Sequence, residues 1–367
     1  MLENTVILTS NLIKMQTIQA SGYPIYFGLE GYEAVNKLLA EKNYSSLYII
    51  VDSNTNTFCL HRLLPYLAVD CAIEIIEIEA GEAQKNIDTC VALWSILSDF
   101  GADRKSCILN LGGGVVTDMG GFVASTFKRG IDFINIPTTL LGMVDASVGG
   151  KNGIDLNNLK NQIGTINTPT TLLIDTHYLE TLSAREMRSG LAEMLKHGLI
   201  FDRNYWNKFK KLETLDTSML DELIYESIVI KNTIVMQDPH EKGIRKSLNF
   251  GHTLGHGIES FYLGSQNKLL HGEAVAVGMI LEAYLSYKKE YINLEEYLEI
   301  KEYMLSIFDK IAISTSDVDA IIDLLKHDKK NEYGKIQFSL LKNIGECIIN
   351  QIVDDKLIQD AFFDYNS

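Results

Sequence analysis

Between residues 46 and 139 the chain repeats one pattern: a short apolar run closed by small or polar residues, then a stretch with helical spacing. "SLYIIVDS" (46–53) is apolar almost throughout, as a strand buried on both faces must be. "AIEIIEIEA" (72–80) alternates with period two, and "CILNLGGG" (107–114) and "DFINIPTT" (132–139) are further buried-strand patterns. "NIDTCVALWSILSDFG" (86–101) has helical spacing and stops on a glycine. Strands separated by helices leave few solutions, and the regular one is a parallel sheet with right-handed crossovers.

Past residue 178 the pattern changes. "YLETLSAREMRSGLAEMLKHGLIF", "SMLDELIYESIVIKNTIVMQ", "GHTLGHGIESFYL" and "GEAVAVGMILEAYLSYKKEY" all carry helical periodicity. Only "KIQFSLL" and "GECIINQIV" look like strands there, and their proximity suggests a hairpin. At 367 residues the chain is long for one ordinary domain. The expectation is an α/β domain over 1–177 and a mainly helical domain over 178–367. No low-complexity linker separates them, so a tight interface with a ligand cleft is expected.

Net charge is −15, which argues against nucleic acid or an anionic membrane as partner. A small anionic substrate stays possible, because local cations dominate at short range. No apolar stretch is long enough for a membrane span. "MLENTVILTS" lacks a basic region followed by an apolar run, and the five cysteines are scattered without a CxxC pair. Both features lead us to expect a cytoplasmic protein with reduced thiols.

Two glycine-rich regions stand out. "NLGGGVVTDMGGFVAS" (110–125) follows a strand and opens a helix, which suits either a tight turn or a phosphate cradle. It is not GxGxxG, so the usual dinucleotide fingerprint does not apply. Asp52, at a strand end, can serve as a helix cap, as a ribose ligand, or as both. In "FKRGIDFINIPTTLLGMVDASVGGKNGIDLNNLKNQIGT" (127–165), Arg129, Lys151 and Lys160 lie among glycines and asparagines near Asp145. Glycines around a lysine suit a backbone shaped to bring an ammonium onto a phosphate or carboxylate.

"NFGHTLGHGIESFYLGSQNKLLHGEAV" (249–275) holds three of the eight histidines. His252 and His256 share a helix face, His271 has no evident core role, and Glu193 interrupts an apolar helix in "SGLAEMLKHG". A glutamate in that setting needs a cation or a raised pKa. Glu193 with two of these three histidines makes a three-ligand divalent-metal site; spacing leaves open which two.

"GGGVVTDMGGF", "RGIDFINIPTTLLGMVDASVGGKNGI", "LKNQIG", "SGLAEMLKHG", "LNFGHTLGHGIE" and "HGEAVAVGM", in this order and over nearly the whole chain, resemble the dehydroquinate synthase family of sugar-phosphate cyclases. The resemblance implies a dehydroquinate synthase-like fold, NAD in the α/β domain, and one divalent metal, zinc or cobalt, on Glu193, His252 and His271. His256 is then left for proton transfer or water organisation. It implies substrate phosphate near Lys151, Asn161 and Arg129. Substrate carboxylate and hydroxyls would meet Lys160, Lys196, Lys231, Arg245 and Asn249, with Asp145, Glu241 and Lys330 also at the site. NAD would contact Asp52, Asn54, Glu82, Lys85, Gly114, Val115, Asp118, Thr138 and Thr139, together with Lys151 and Lys160. The chain departs from the family pattern at Thr117, where glycine is usual, at Gly120, where alanine is usual, and in "GTINTP" (164–169). The resemblance places Thr117 and Gly120 beside the pyrophosphate loop, so altered NAD affinity is expected there, with Thr117 able to add a hydroxyl contact.

The implied reaction converts 3-deoxy-D-arabino-heptulosonate 7-phosphate into 3-dehydroquinate and phosphate, within the shikimate pathway. It proceeds by transient oxidation, phosphate elimination, re-reduction, ring opening and aldol closure. A homodimer is the implied assembly. The competing expectations are another sugar-phosphate cyclase (aminodehydroquinate, valiolone or deoxy-inosose synthase type) and a metal- and NAD-dependent polyol dehydrogenase.

Overall fold

The expected apolar runs become the middle of a seven-stranded sheet. The structure is a computed structural model that describes residues 16–157, 159–212, 217–263, 268–326 and 336–367. In chain order the sheet strands are β1 (Ile18–Gln19), β2 (Pro24–Phe27), β3 (Ser46–Asp52), β4 (Ala72–Ile78), β5 (Cys107–Gly112) and β6 (Asp132–Pro137). A ribbon of β7 (Lys151–Leu156) and β8 (Leu159–Ile166) then precedes the last sheet strand, β9 (Thr171–Ile174).

The sheet order is β1-β2-β9-β6-β5-β3-β4. Every pair from β2 to β4 is parallel; only the two-residue β1 at the edge runs antiparallel to its neighbour. Cys107, Leu109 and Leu111 of β5 face one core while Ile108 faces the other, which is why these strands read as unbroken apolar runs. The chain passes outward from β3 to β4, then returns to β5 on the other side of β3. That reversal opens a crevice at the carboxyl ends of β3 and β5, where open α/β sheets take ligands.

Helix α1 (Gly28–Lys42) covers one face, with Val35 and Leu39 in the larger core. Helices α2 (Ile87–Asp99) and α3 (Gly114–Thr126) cover the other through Leu93, Leu97, Met119 and Val123. The Asn86 side chain caps α2 by accepting from the Thr89 N–H at 3.0 Å.

After β9 the chain is helical: α4 (Ala184–Phe201), α5 (Arg203–Lys210), α6 (Thr217–Gln237), α7 (His252–Tyr262), α8 (His271–Lys288), α9 (Leu294–Ile307) and α10 (Thr315–Lys326). The expected hairpin forms from β10 (Gln337–Asn343) and β11 (Glu346–Ile352), and α11 (Asp355–Asn366) closes the chain. Helix α8 is buried along nearly its whole length and is the axis of this half. One apolar core joins the sheet face to the helices, including Leu173 of β9, Met194 of α4 and Leu281 of α8. No helix among the described residues is long and apolar enough to cross a membrane.

The stretch read as a glycine-rich segment around Lys151 is an antiparallel ribbon, β7–β8, that packs Ile154 into the smaller core beside α3. It therefore carries Lys151 and Lys160 on strands that border a cleft.

Candidate active site

Three helices converge on Glu193. Close approach of α7 and α8 depends on glycine: Gly251, in the left-handed region at φ 77°, precedes α7, and a Cβ on Gly278 of α8 would lie 2.0 Å from the Gly251 carbonyl oxygen. The first turn of α8 meets α4 through the Gly272 N–H, which donates to Ser189 Oγ at 3.0 Å. His252 and His271 are thereby brought to Glu193, which is fully buried. Its Oε1 has no hydrogen-bond partner, while His252 Nε2 and His271 Nε2 face it at 3.4 and 3.6 Å. One ligand atom from each of the three lies within 4.8 Å of the others. A buried carboxylate oxygen with no donor, opposite two ring nitrogens, fits a divalent cation.

The other ring nitrogens are anchored. His252 Nδ1 lies 3.2 Å from the Phe250 carbonyl oxygen, and His271 Nδ1 lies 3.2 Å from Glu259 Oε2. His256 stands next to both, its ring centroid 5.2 Å from that of His252 and 5.8 Å from that of His271. On the far side, Glu193 Oε2 accepts from Lys196 Nζ, so the carboxylate is shared between an ammonium and the histidine pair.

A cleft of about 880 Å³ opens above this cluster. His252, His256, His271, Lys196, Lys231, Arg245, Asn249, Glu241, Asp145, Lys151, Lys160, Asn161 and Asp118 all line it. Lys151, Lys160, Lys196 and Lys231 are each paired with a carboxylate. Lys151 Nζ donates to Glu241, whose other oxygen accepts from Asn249 Nδ2 at 3.0 Å. Lys231 Nζ lies 2.5 Å from Asp145 Oδ1. Lys160 Nζ bridges Glu259 at 2.6 Å and Glu82 at 3.0 Å. Arg245 is held by the carbonyls of Pro239 (2.8 Å) and Gly149 (3.1 Å), and its buried Nε has no partner.

Burial alone would raise the Asp145 carboxyl, but Lys231 and Lys196 outweigh it and hold it far below the ordinary range. Burial likewise opposes a charged Lys160, yet Glu82 and Glu259 hold its pKa above the usual lysine value. Lys231 goes the other way: burial, with Lys196 and Arg245 nearby, draws it down despite Asp145.

At the sheet crevice, Asp52 accepts from the Thr55 N–H at 2.8 Å and so caps the turn that contains Asn54; the capping reading is realised. Gly113 precedes α3 with no side-chain cap, so Gly114 and Val115 stand in a first turn whose N–H groups lack a side-chain partner. Thr138 N–H donates to the Gly112 carbonyl at 3.0 Å, and Thr139 Oγ1 accepts from the Gly142 N–H at 3.0 Å. Lys85 is buried and donates to Asp118 (2.6 Å) and Asn161 (2.7 Å), while Glu82 meets Lys160. These contacts tie the first turns after β4 and β5 to the ribbon.

Thr117 does not add an outward hydroxyl. It is buried, with Oγ1 3.3 Å from the carbonyls of Gly113 and Gly114 in its own helix. Gly120 makes room for Asn110, since a Cβ there would lie 1.8 Å from Asn110 Oδ1. Arg129 stands apart from the cleft lining, exposed and in the left-handed region at φ 73°. Lys330 lies outside the described residues.

Three buried groups at the site went unread in the sequence. Glu259 joins His271 to Lys160. Glu282 of α8 accepts from the N–H groups of Gly251 (2.7 Å) and Leu254 (3.1 Å), capping the helix that presents His252. His197 bonds Ser227 Oγ through Nδ1 at 2.7 Å, and its Nε2 has no partner. Glu259 had a signal: it lies three residues after His256 and seven after His252, on the same helix face.

A sheet crevice with an open helix N-terminus, facing a cation-lined cleft over the Glu193, His252 and His271 cluster, is the dehydroquinate synthase-like architecture. Among solved structures, a 2-deoxy-scyllo-inosose synthase complexed with carbaglucose-6-phosphate, NAD+ and Co2+ superposes with a TM-score of 0.83 at 25% identity, covering 95% of this chain and 100% of that one. A 2-epi-5-epi-valiolone synthase from Streptomyces hygroscopicus subsp. jinggangensis with NAD+ and Zn2+ bound gives a TM-score of 0.81 at 26% identity, covering 95% and 98%. The 3-dehydroquinate synthase N-terminal family matches residues 75–189, and its C-terminal counterpart matches 190–331. The 3-dehydroquinate synthase of Parabacteroides distasonis is 42% identical over 328 residues, covering 89% of this chain and 93% of that protein. The chain belongs to the 3-dehydroquinate synthase family.

Proposed function

We propose that this chain is a carbon–oxygen lyase that converts 3-deoxy-D-arabino-heptulosonate 7-phosphate into 3-dehydroquinate and phosphate. The observation that carries the reading is the partnerless Glu193 Oε1 beneath a cleft lined by cations. Glu193, His252 and His271 would hold one divalent metal, and the crevice from Asp52 to Thr139 would hold NAD. When bound, the metal supplies Lewis-acid polarisation of substrate oxygens, and NAD supplies reversible hydride acceptance.

The chain's own residues bind, orient and move protons. Lys151 and Asn161 are the reading's phosphate ligands. Lys151 is half exposed, so an incoming phosphate can draw it from Glu241 at small desolvation cost. Lys160, Lys196, Lys231, Arg245 and Asn249 would orient carboxylate and hydroxyls. Of these, Lys160 is held charged despite burial by Glu82 and Glu259. His256 would hold or move a proton beside the metal ligands. Arg129, which lies outside the lining of this cleft, and Lys330 are the reading's remaining phosphate and substrate groups. The division near residue 177 into a cofactor half and a metal half, the homodimer and the cytoplasmic setting complete the reading.

The test is phosphate release from 3-deoxy-D-arabino-heptulosonate 7-phosphate with NAD and zinc or cobalt. Phosphate should appear without accumulation of NADH. Stoichiometric NADH would point to a dehydrogenase. Inactivity on this substrate with turnover of a heptulose or glucose phosphate would move the chain to a sister cyclase, the class of its solved structural neighbours.

A further inference from the structure

Glu259 is 5% exposed and sits on α7 between the metal cluster and the sheet. One oxygen meets His271 Nδ1 at 3.2 Å; the other accepts from Lys160 Nζ at 2.6 Å, and Lys160 continues to Glu82 at 3.0 Å. A carboxylate shared with the Lys160 ammonium accepts at Nδ1, so the neutral His271 ring that a metal requires carries its proton on Nδ1 and presents Nε2 toward Glu193. His252 reaches the same tautomer through the Phe250 carbonyl, which is uncharged.

We propose that Glu259 is a positioning residue: it fixes the metal-facing tautomer and ring orientation of His271 and thereby sets the affinity of the site for a divalent cation. The inference rests on the metal reading of Glu193, His252 and His271. Carboxylates in this relation to a ligating histidine raise its basicity, and their removal commonly lowers metal affinity about 10–100-fold. Lys160 has a second consequence. Because Glu82 follows β4, the contact chain Glu82–Lys160–Glu259–His271 runs from the sheet crevice to the metal cluster without a gap longer than 3.2 Å.

The test titrates Co2+ and Zn2+ into metal-stripped wild type, Glu259→Gln and Glu259→Ala by chelator competition, with neither NAD nor substrate present. The Co2+ visible spectrum is recorded alongside. Wild type should bind one ion; both variants should bind it at least tenfold more weakly, with altered Co2+ bands. Glu259→Gln keeps the side-chain shape and carries the test should Glu259→Ala fail to fold. Affinities within threefold of wild type and unchanged bands in the folded variants would overturn the role of Glu259. Absence of Co2+ or Zn2+ binding in wild type would instead overturn the metal site on which it rests.

Discussion

Gly120 and Asn110 give the sharpest energetic prediction. Gly120 is in the body of α3 with ordinary helical dihedrals, so alanine suits its backbone and by propensity alone would stabilise the helix by about 1 kcal/mol. The space is occupied, however. The added Cβ would lie 1.8 Å from Asn110 Oδ1 and 2.5 Å from its Cγ. Asn110 cannot simply swing away, because it is fully buried in β5 and its Nδ2 donates to Asn135 Oδ1 at 2.9 Å. Overpacking costs about 1–3 kcal/mol, and breaking the buried amide pair adds about 1–3 kcal/mol. Gly120→Ala should therefore destabilise by about 1–5 kcal/mol after the helical gain. In an Asn110→Ala background the obstacle is gone, and the same change should stabilise by roughly 0.5–1 kcal/mol. Urea melts of the four proteins measure the cycle, read at constant m-value. Equal effects of Gly120→Ala in both backgrounds would refute the steric argument. So would a neutral or stabilising Gly120→Ala in the wild-type background.

Three other outcomes are expected. Glu193→Ala should abolish metal binding and activity together; full zinc retention by elemental analysis would remove Glu193 from the ligand set. Glu282→Ala leaves two buried N–H groups at the start of α7 without an acceptor, which should cost about 2–4 kcal/mol. Thermal melts of the metal-free protein check it, and an unchanged midpoint would contradict the capping role. His197 is held at about 3, chiefly by burial and then by Lys196, so the folded state resists protonation that the unfolded chain accepts near pH 6.5. The stability due to neutral His197 is complete above that pH and is lost as pH falls, by up to about 1.4 kcal/mol per unit. His197→Gln keeps a partner for Ser227 and should flatten that slope between pH 6 and 4; an identical slope would show that other groups set the acid limb.

The strands of the sheet were legible because burial on both faces removes polar residues, leaving "SLYIIVD" and "CILNL" as continuous runs. The β7–β8 ribbon was not. It is short, carries glycine and asparagine where strands usually carry branched residues, and packs mainly through Ile154. Its sequence showed an unusual backbone without showing which. In the site, Glu193 was readable because a carboxylate interrupts an apolar helix. Glu282 in "MILEAYL" carries the same signal, and its requirement was met by backbone N–H groups across the helix pair rather than by a cation. Spacing tells that a buried charge needs a partner; only packing tells which partner it has.

That distinction explains how an acidic chain assembles a cationic cleft. The ammonium groups of Lys196, Lys231 and Lys160 are buried or nearly so, and each already faces a carboxylate. Lys160 was visible as a lysine among glycines, but the balance of Lys160 and Lys231 was not, because their partners Glu259 and Asp145 come from other elements. Lys151 differs, being the exposed member and paired with Glu241 at the cleft edge. Exchange of Glu241 for a substrate phosphate at Lys151 trades one solvated ion pair for another, whereas exchange at Lys231 would leave a buried Asp145 without its cation. The phosphate end of the substrate is therefore expected at the Lys151 side, with the uncharged hydroxyls directed inward toward Lys196, His256 and the Glu193 cluster.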